Sequence, residues 1–400
     1  MKAPSSLTGP ILTPGGTIPH GTIHWDSSGR ITRIETHGVP IPHDSEAAGR
    51  LICPGFINLH VHGGLGADTL DADPAALETI AGDQARQGVT AFLPTAASAS
   101  RGTLEAVCSA VRGYRAGRKP GDPGGAEILG LHLEGPYFNP ARAGAQNPAH
   151  FRDPDWDEFE ALRLASGEAI RLVSLAPERD PGGGFIRKAV AAGVRVAAGH
   201  TNADYGTMRR ALAQGIAHAT HVFNAMPGLH HRNPTGLNAL LEDDRVHLEL
   251  IPDCTEIPHV HPAAIRLLKR LVGPDRICTV TDAVSAAGCP DGAYRLGDLP
   301  IRKAGEMVFL ESSPAERGEG RLAGSVLAMN AGIRNLVEKC GFSLEEAVRT
   351  AAANPARAIG IESDKGSLVP GRHADLVVLR PETFEVVATY VRGVKVFGNG

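Results

Sequence analysis

The chain predicts an α/β fold: a (β/α)8 barrel carrying a small β-sandwich module assembled from both chain ends. Three observations lead there. Between Pro54 and Ala283, eight short apolar β-like runs alternate with helical patterns, which is the rhythm of parallel βα units. Eight such units close a barrel, whereas a doubly wound sheet more often stops at about six strands. The two chain ends are β-rich, but neither holds enough strands to form a stable sheet alone, so the economical solution pairs them.

Residues 1–53 read as short strands and turns, with Gly21–Trp25 and Ile31–Thr36 separated by Gly, Pro, Asp and Ser. The barrel is assigned to residues 54–363. Its strands are expected at Phe56–His62, Thr90–Thr95, Ile128–Glu134, Ile170–Ala176, Val194–His200, Ala217–Phe223, Val246–Pro252 and Arg276–Asp282. Between them, apolar residues such as Leu77, Ile80, Ala81, Ala85 and Met208, Ala211, Leu212 recur near the 3.6-residue period of a helix. Asp73-Pro74 supplies a cap and a first-turn proline for the first helix. The stretch 288–324 breaks the rhythm with Gly, Pro and short β runs and reads as an excursion. Helices over Val326–Lys339 and Leu344–Ala353 then pack outside the barrel. Residues 364–400 complete the β module through Asp375–Leu379 and Glu385–Val396.

Composition narrows the function classes. The formal charge of −4 leaves no basic footprint, so neither nucleic acid nor an anionic membrane is an expected partner. No run approaches the ~20 apolar residues of a membrane span. Met1 to His20 lacks the basic start and apolar core of a signal peptide, and the six scattered cysteines form no C-x-x-C pair. Reduced thiols in a cytoplasmic protein are the expectation.

The reactive side chains fall in a pattern. His60 and His62 end the first barrel strand as H-x-H, Glu134 ends the third, His200 the fifth, His221 the sixth and Asp282 the eighth. The C-terminal strand ends of a barrel converge on one face, where such enzymes build their sites. In a strand, residues i and i+2 point the same way, so both imidazoles of the H-x-H enter the barrel mouth. One strand-end histidine is more often a hydrogen-bonded structural residue than a ligand. Six metal-competent side chains on five strands are a different matter, because a buried cluster of acids and histidines is costly without a cation. Imidazole and carboxylate ligands suit Zn2+ or another first-row divalent ion. Asp282 reads as the general base, taking a proton from an attacking water and delivering it to the leaving group. Hydrolysis of an amide or ester is the reaction class that follows.

These residues resemble the amidohydrolase superfamily, and within it the group of N-acetylglucosamine-6-phosphate deacetylases. The resemblance rests on Pro54–Gly63 (PGFINLHVHG), Leu131–Pro136 (LHLEGP), Ala198–Ala203 (AGHTNA), Ala219–Pro227 (ATHVFNAMP), Val280–Ala283, Ala351–Gly360 and Pro370–Leu379. It implies hydrolysis of the acetamide of N-acetylglucosamine 6-phosphate to glucosamine 6-phosphate and acetate. By that resemblance Glu134, His200 and His221 hold the main ion, and His60 and His62 serve a second that Glu134 can bridge. One or two ions are therefore expected, with Zn the first choice and Fe, Mn or Co alternatives. No lysine occupies the fourth-strand run Ile170–Pro177, where dihydroorotase-like relatives carry a bridging carboxylated one. His259 matches the residue that polarises the acetyl carbonyl. Asn224, Ala225 and Arg232 match positions at the phosphate, with the arginine able to come from a neighbouring subunit of a homodimer. Ala145, Gln146 and Leu322, Ala323, Gly324 match the sugar pocket.

Two loops depart from the family. Where relatives read R-E-P-G, this chain has Arg232-Asn233-Pro234-Thr235-Gly236. Where they read A-D-G before H-V-H, it has the longer Pro252-Asp253-Cys254-Thr255-Glu256-Ile257-Pro258. Both loops shape substrate recognition, which leaves open another N-acetylated amino sugar or an N-acyl amino acid as substrate. A barrel kept only as a binding scaffold would be expected to lose ligands, and all six are present.

Overall fold

The computed structural model describes residues 5–38, 41, 49–118, 122, 124–311 and 321–398. Its centre is the barrel. The strands are β1 (Phe56–Val61), β2 (Val89–Ala96), β3 (Leu131–Glu134), β4 (Ile170–Leu175), β5 (Arg195–Ala198), β6 (His218–Ala219), β7 (His247–Leu250) and β8 (Ile277–Thr279). They hydrogen-bond in sequence order, all parallel. Contacts between the ends of β8 and β1 complete the ring: Val61 and Ala283 form a parallel bridge, and the Asp282 amide donates to the His60 carbonyl at 2.9 Å. The expected βα barrel is therefore present.

Helices cover its outside for the reason the periodicity gave. Pro74–Arg86 is capped by Asp73, whose side chain accepts from the Ala75 amide, and it turns Leu77, Ile80, Ala81 and Ala85 inward. Outward-facing strand residues such as Phe92, Leu133, Val173 and Leu248 share one core with helix residues Leu104, Phe159 and Ile186. Burying each such side chain is worth ~1.5–3 kcal/mol, so this layer dominates stability. The opposite face of the same strands carries His60, His132, Ser174 and Glu249, each with no exposed surface.

The barrel strands end earlier than their apolar runs suggested. β5 stops at Ala198, β6 at Ala219 and β8 at Thr279, because the chain then leaves the ladder. His200 (φ 45°), His221 (φ 28°) and Asp282 (φ 49°) all sit in the left-handed region. Side chains other than glycine avoid that region at a cost of about 1–3 kcal/mol each, and such strain concentrates at functional sites.

Both chain ends join in one seven-stranded sheet, ordered 394–397, 386–391, 376–379, 51–54, 5–13, 16–25, 31–36. Its seam is the antiparallel pairing of Leu51–Pro54 with Leu376–Leu379, and its core includes Ile11, Ile23, Trp25, Ile52 and Leu376. The strand Ser5–Thr13 escaped the sequence reading because Gly9-Pro10 interrupts it; the register shifts there between Gly9 and Ile11, a bulge that accommodates the proline. The excursion after β8 is an antiparallel sheet of Gly292–Leu296, Leu299–Ala304 and Met307–Leu310. It packs against Ala97, Val284 and Ala323 near the barrel mouth. Outer helices follow at Met329–Glu338 and Leu344–Ala351.

Candidate active site

The strand ends bring the expected ligands to one point. Glu134 Oε1 lies 3.1 Å from His200 Nε2 and 3.0 Å from His221 Nε2, whose nitrogens are themselves 3.1 Å apart. Its Oε2 lies 3.2 Å from His62 Nε2, and Oε1 lies 3.6 Å from His60 Nε2. His60 and His62 face each other across 3.3 Å, and Asp282 Oδ1 is 3.3 Å and 3.2 Å from them. All six side chains are at least nine-tenths buried.

This arrangement fits divalent ions. Facing imidazole nitrogens can donate lone pairs to a shared cation, and Glu134 joins the triplets His60/His62/Glu134 and Glu134/His200/His221, whose ligand atoms lie within 4.8 Å of one another. Among the described residues, every ion pair made by the buried carboxylates of Glu134, Glu249 and Asp282 is with a histidine, none with lysine or arginine. The electrostatics reflect this imbalance. Burial opposes charging His62, but Asp282 and Glu134 outweigh it and raise the ring to about 9. His60 is likewise raised well above the ordinary imidazole value, against its burial, by Asp282, Glu134 and Glu249. Burial resists ionising Glu134 as well, yet His60 and the bonds from His200 and His221 hold it well below the usual carboxylate range.

Three of the ligand rings have their other nitrogen fixed by an acceptor further out, whereas His221 Nδ1 is buried without a hydrogen-bond partner. His62 Nδ1 lies 3.0 Å from the Thr95 carbonyl, His200 Nδ1 2.9 Å from the Arg142 carbonyl, and His60 Nδ1 2.9 Å from Glu249 Oε2. Such partners select the tautomer that leaves Nε2 free to ligate.

A cavity of about 350 Å3 opens over the cluster. His62, Glu134, His200, His221 and Asp282 form its floor, while His60 lies beneath. His259 lines a wall, and its Nδ1 is 2.7 Å from Asp253 Oδ2, which turns Nε2 away from that carboxylate. Asp253 also accepts the His259 backbone amide at 3.1 Å, so the unusual loop 252–258 holds this histidine at both ring and backbone. Ala145, Gln146, Asn224, Ala225, Leu322 and Gly324 line the same cavity. Gly324 has φ +60°, and a Cβ there would stand 2.8 Å from the Asp282 carbonyl, so the close approach to the acid requires glycine.

Three expected contacts differ in detail. Ala323 is fully buried in the core under the excursion, and only its neighbours face the cavity. Gln146 lines the cavity, but its amide is engaged: Nε2 donates to Glu134 Oε2 and Oε1 accepts the Ser98 amide at 2.7 Å. Arg232 is exposed in the 228–235 loop and does not line the cavity of its own chain.

Sequence reasoning missed Glu249, Leu296 and Arg321, and it singled out Asp253 and Ile257 only as members of the unusual 252–258 loop. Ile257, Leu296 and Arg321 line the cavity, and the Arg321 guanidinium donates to the Gly144 carbonyl at 3.3 Å. Only Glu249 carried a usable signal, as a single acid inside the apolar run His247-Leu248-Glu249-Leu250.

The Amidohydrolase family model matches residues 51–396. The chain is 40% identical over 354 residues to an N-acetylgalactosamine-6-phosphate deacetylase of Escherichia coli O157:H7, covering 88% of this chain and 89% of that one. It is 34% identical over 386 residues to an N-acetylglucosamine-6-phosphate deacetylase of Bacillus subtilis (96% and 94%). Among solved structures, a variant N-acetyl-D-glucosamine-6-phosphate deacetylase of Mycobacterium smegmatis, in complex with N-acetyl-D-glucosamine 6-phosphate, superposes with a TM-score of 0.88. It is 34% identical, with 99% of this chain and 100% of that one covered. With a family match over most of its length and relatives of this identity, the chain belongs to the Amidohydrolase family.

Proposed function

We propose that the protein is a metal-dependent deacetylase that hydrolyses the acetamide of N-acetylglucosamine 6-phosphate to glucosamine 6-phosphate and acetate. The observation that carries the reading is the buried convergence of four histidines on Glu134, with Asp282 3.2 Å from His62 at the cavity floor. Glu134, His200 and His221 would hold one divalent ion, and His60, His62 and Glu134 a second, with Zn the first choice among Zn, Fe, Mn and Co. Such an ion supplies Lewis acidity and makes water a nucleophile near neutral pH.

The chain's own groups do the rest. Asp282 takes the proton of the attacking water on a carboxylate oxygen and passes it to the amine nitrogen as the C–N bond breaks. His259, held at Nδ1 by Asp253, presents Nε2 to the acetyl oxygen as that oxygen gains charge. Gln146 keeps Glu134 in place through the hydrogen bond its side-chain Nε2 donates to Oε2. Asn224 and Ala225 face the sugar phosphate. Arg232, exposed outside its own cavity, reaches the phosphate site of a second copy in a cytoplasmic homodimer.

A second substrate is favoured by two observations: the 40% identical relative is an N-acetylgalactosamine-6-phosphate deacetylase, and the 252–258 loop departs from the glucosamine-type pattern. Acetate release from N-acetylglucosamine 6-phosphate, N-acetylgalactosamine 6-phosphate and both unphosphorylated sugars decides between them. Turnover confined to the phosphorylated glucosamine compound is the expected result. Faster turnover of the galactosamine compound moves the assignment to the 4-epimer, and indifference to the phosphate removes the role given to Arg232. Arg232→Ala is expected to raise KM about tenfold, the loss of one charge-assisted hydrogen bond, with kcat little changed.

A further inference from the structure

We propose that Glu249 is the positioning residue that makes His60 an ion ligand. The proposal rests on the ion-dependent reading above. Glu249 sits in the middle of β7 with no exposed surface. Its Oε2 accepts from His60 Nδ1 at 2.9 Å and from the His221 backbone amide at 3.2 Å, and its Oε1 lies 2.9 Å from His218 Nε2. One carboxylate therefore fixes a ring belonging to one ligand triplet and the backbone of a residue belonging to the other. That backbone is the strained segment of His221, at φ 28°.

His60 differs from the other rings in this respect. His62 and His200 turn Nδ1 to backbone carbonyls, whereas His60 turns it to a buried carboxylate. A carboxylate partner holds the proton on Nδ1 and makes the opposite nitrogen a stronger ligand than a carbonyl partner does. Glu249 also falls within ligand distance of His60 and His132, which raises the alternative of a third ion site. The His132 ring argues against it, because its Nε2 is 2.7 Å from Ser174 Oγ and its Nδ1 is 3.2 Å from the Leu59 carbonyl, leaving no lone pair directed at Glu249.

The test is ion content per chain at fixed free-ion concentration, measured by elemental analysis on purified holoenzyme. Wild type is expected to hold two ions. Glu249→Gln keeps the shape but removes the charge, and should weaken the ion at His60/His62 by about 10–100-fold while the ion at Glu134/His200/His221 stays. A content falling to one, restored to two by raising the free-ion concentration, supports the proposal. Combining Glu249→Gln with His60→Asn separates positioning from general stability: no further loss of ion beyond His60→Asn alone is expected. If Glu249→Gln does not fold, Glu249→Asp, which keeps the charge on a shorter stem, should show the same selective weakening. Two ions in Glu249→Gln at the wild-type free-ion concentration, or additive loss in the double variant, would overturn it. A wild-type content of one ion would instead remove the two-ion reading beneath it, a failure visible without any variant.

Discussion

Two dense clusters of charged side chains among the described residues are built on opposite principles. Where the end-derived sheet meets the barrel, Lys365 Nζ lies 2.7 Å from both Asp375 and Glu127, and the Arg392 guanidinium lies 2.8 Å from Glu127. Two carboxylates meet two permanent cations, and the cluster is neutral by itself. At the barrel mouth, among the described residues, Glu134, Glu249 and Asp282 find their ion-pair partners only in histidines. Both clusters are dense, so density alone does not mark a site. A buried acidic cluster whose only cationic partners are titratable rings is the one that needs something from outside. The junction cluster locks two parts of the fold together, whereas the mouth cluster is completed by its ligands.

The largest expected break is at the mouth. Asp282→Asn removes the proton acceptor while leaving the histidines and Glu134 in place. Turnover should fall by about 10^3-fold with ion content unchanged, read as acetate release beside elemental analysis. Wild-type-like turnover would end the role given to Asp282. The matching change at the junction is Lys365→Met, which leaves Asp375 and Glu127 short of a buried cation. Breaking one partner out of a buried pair costs roughly 3–5 kcal/mol, to be seen in urea denaturation. Ion content and turnover of the folded enzyme should not move; loss of bound ion in this variant would mean that the two clusters are not independent.

The smallest effect concerns acid. Burial opposes ionising Glu127, but Lys365 and Arg392 outweigh it and hold the group at about 2. A depressed carboxyl contributes stability that is complete above its ordinary value and is lost as pH falls through the folded one. Wild type should therefore lose part of its stability as pH falls from about 4.5 to 2. Glu127→Gln should show a flatter profile over that window, and equal slopes would mean that the junction owes nothing to this carboxylate.

The same contrast explains what the sequence made legible. The barrel strands could be read because each is a short apolar run set between helical patterns, His60 and His62 because strand alternation sends i and i+2 to one side, and Glu134 because it ends the third run. His200, His221 and Asp282 were placed at the right point of the chain, but their departure from the ladder was not visible, since it comes from left-handed backbone that residue type does not announce. Glu249 follows His247 at the same i, i+2 spacing, but its importance comes from His60 and His218, which the closed barrel brings to it from 189 and 31 residues away. Leu296 and Arg321 belong to the excursion after β8, where only the fold of that insertion decides which side chains overhang the cavity. The junction cluster was equally hidden, because Glu127 meets Lys365 and Arg392 only after the two chain ends have joined.

The most direct test of the account removes and restores the ions on a single sample. Acetate release from the phosphorylated amino sugar and metal content are followed together, first through chelation and then through titration with Zn2+. The account predicts that activity disappears with the bound ions and returns in proportion to their rebinding. Undiminished turnover by ion-free protein would contradict it.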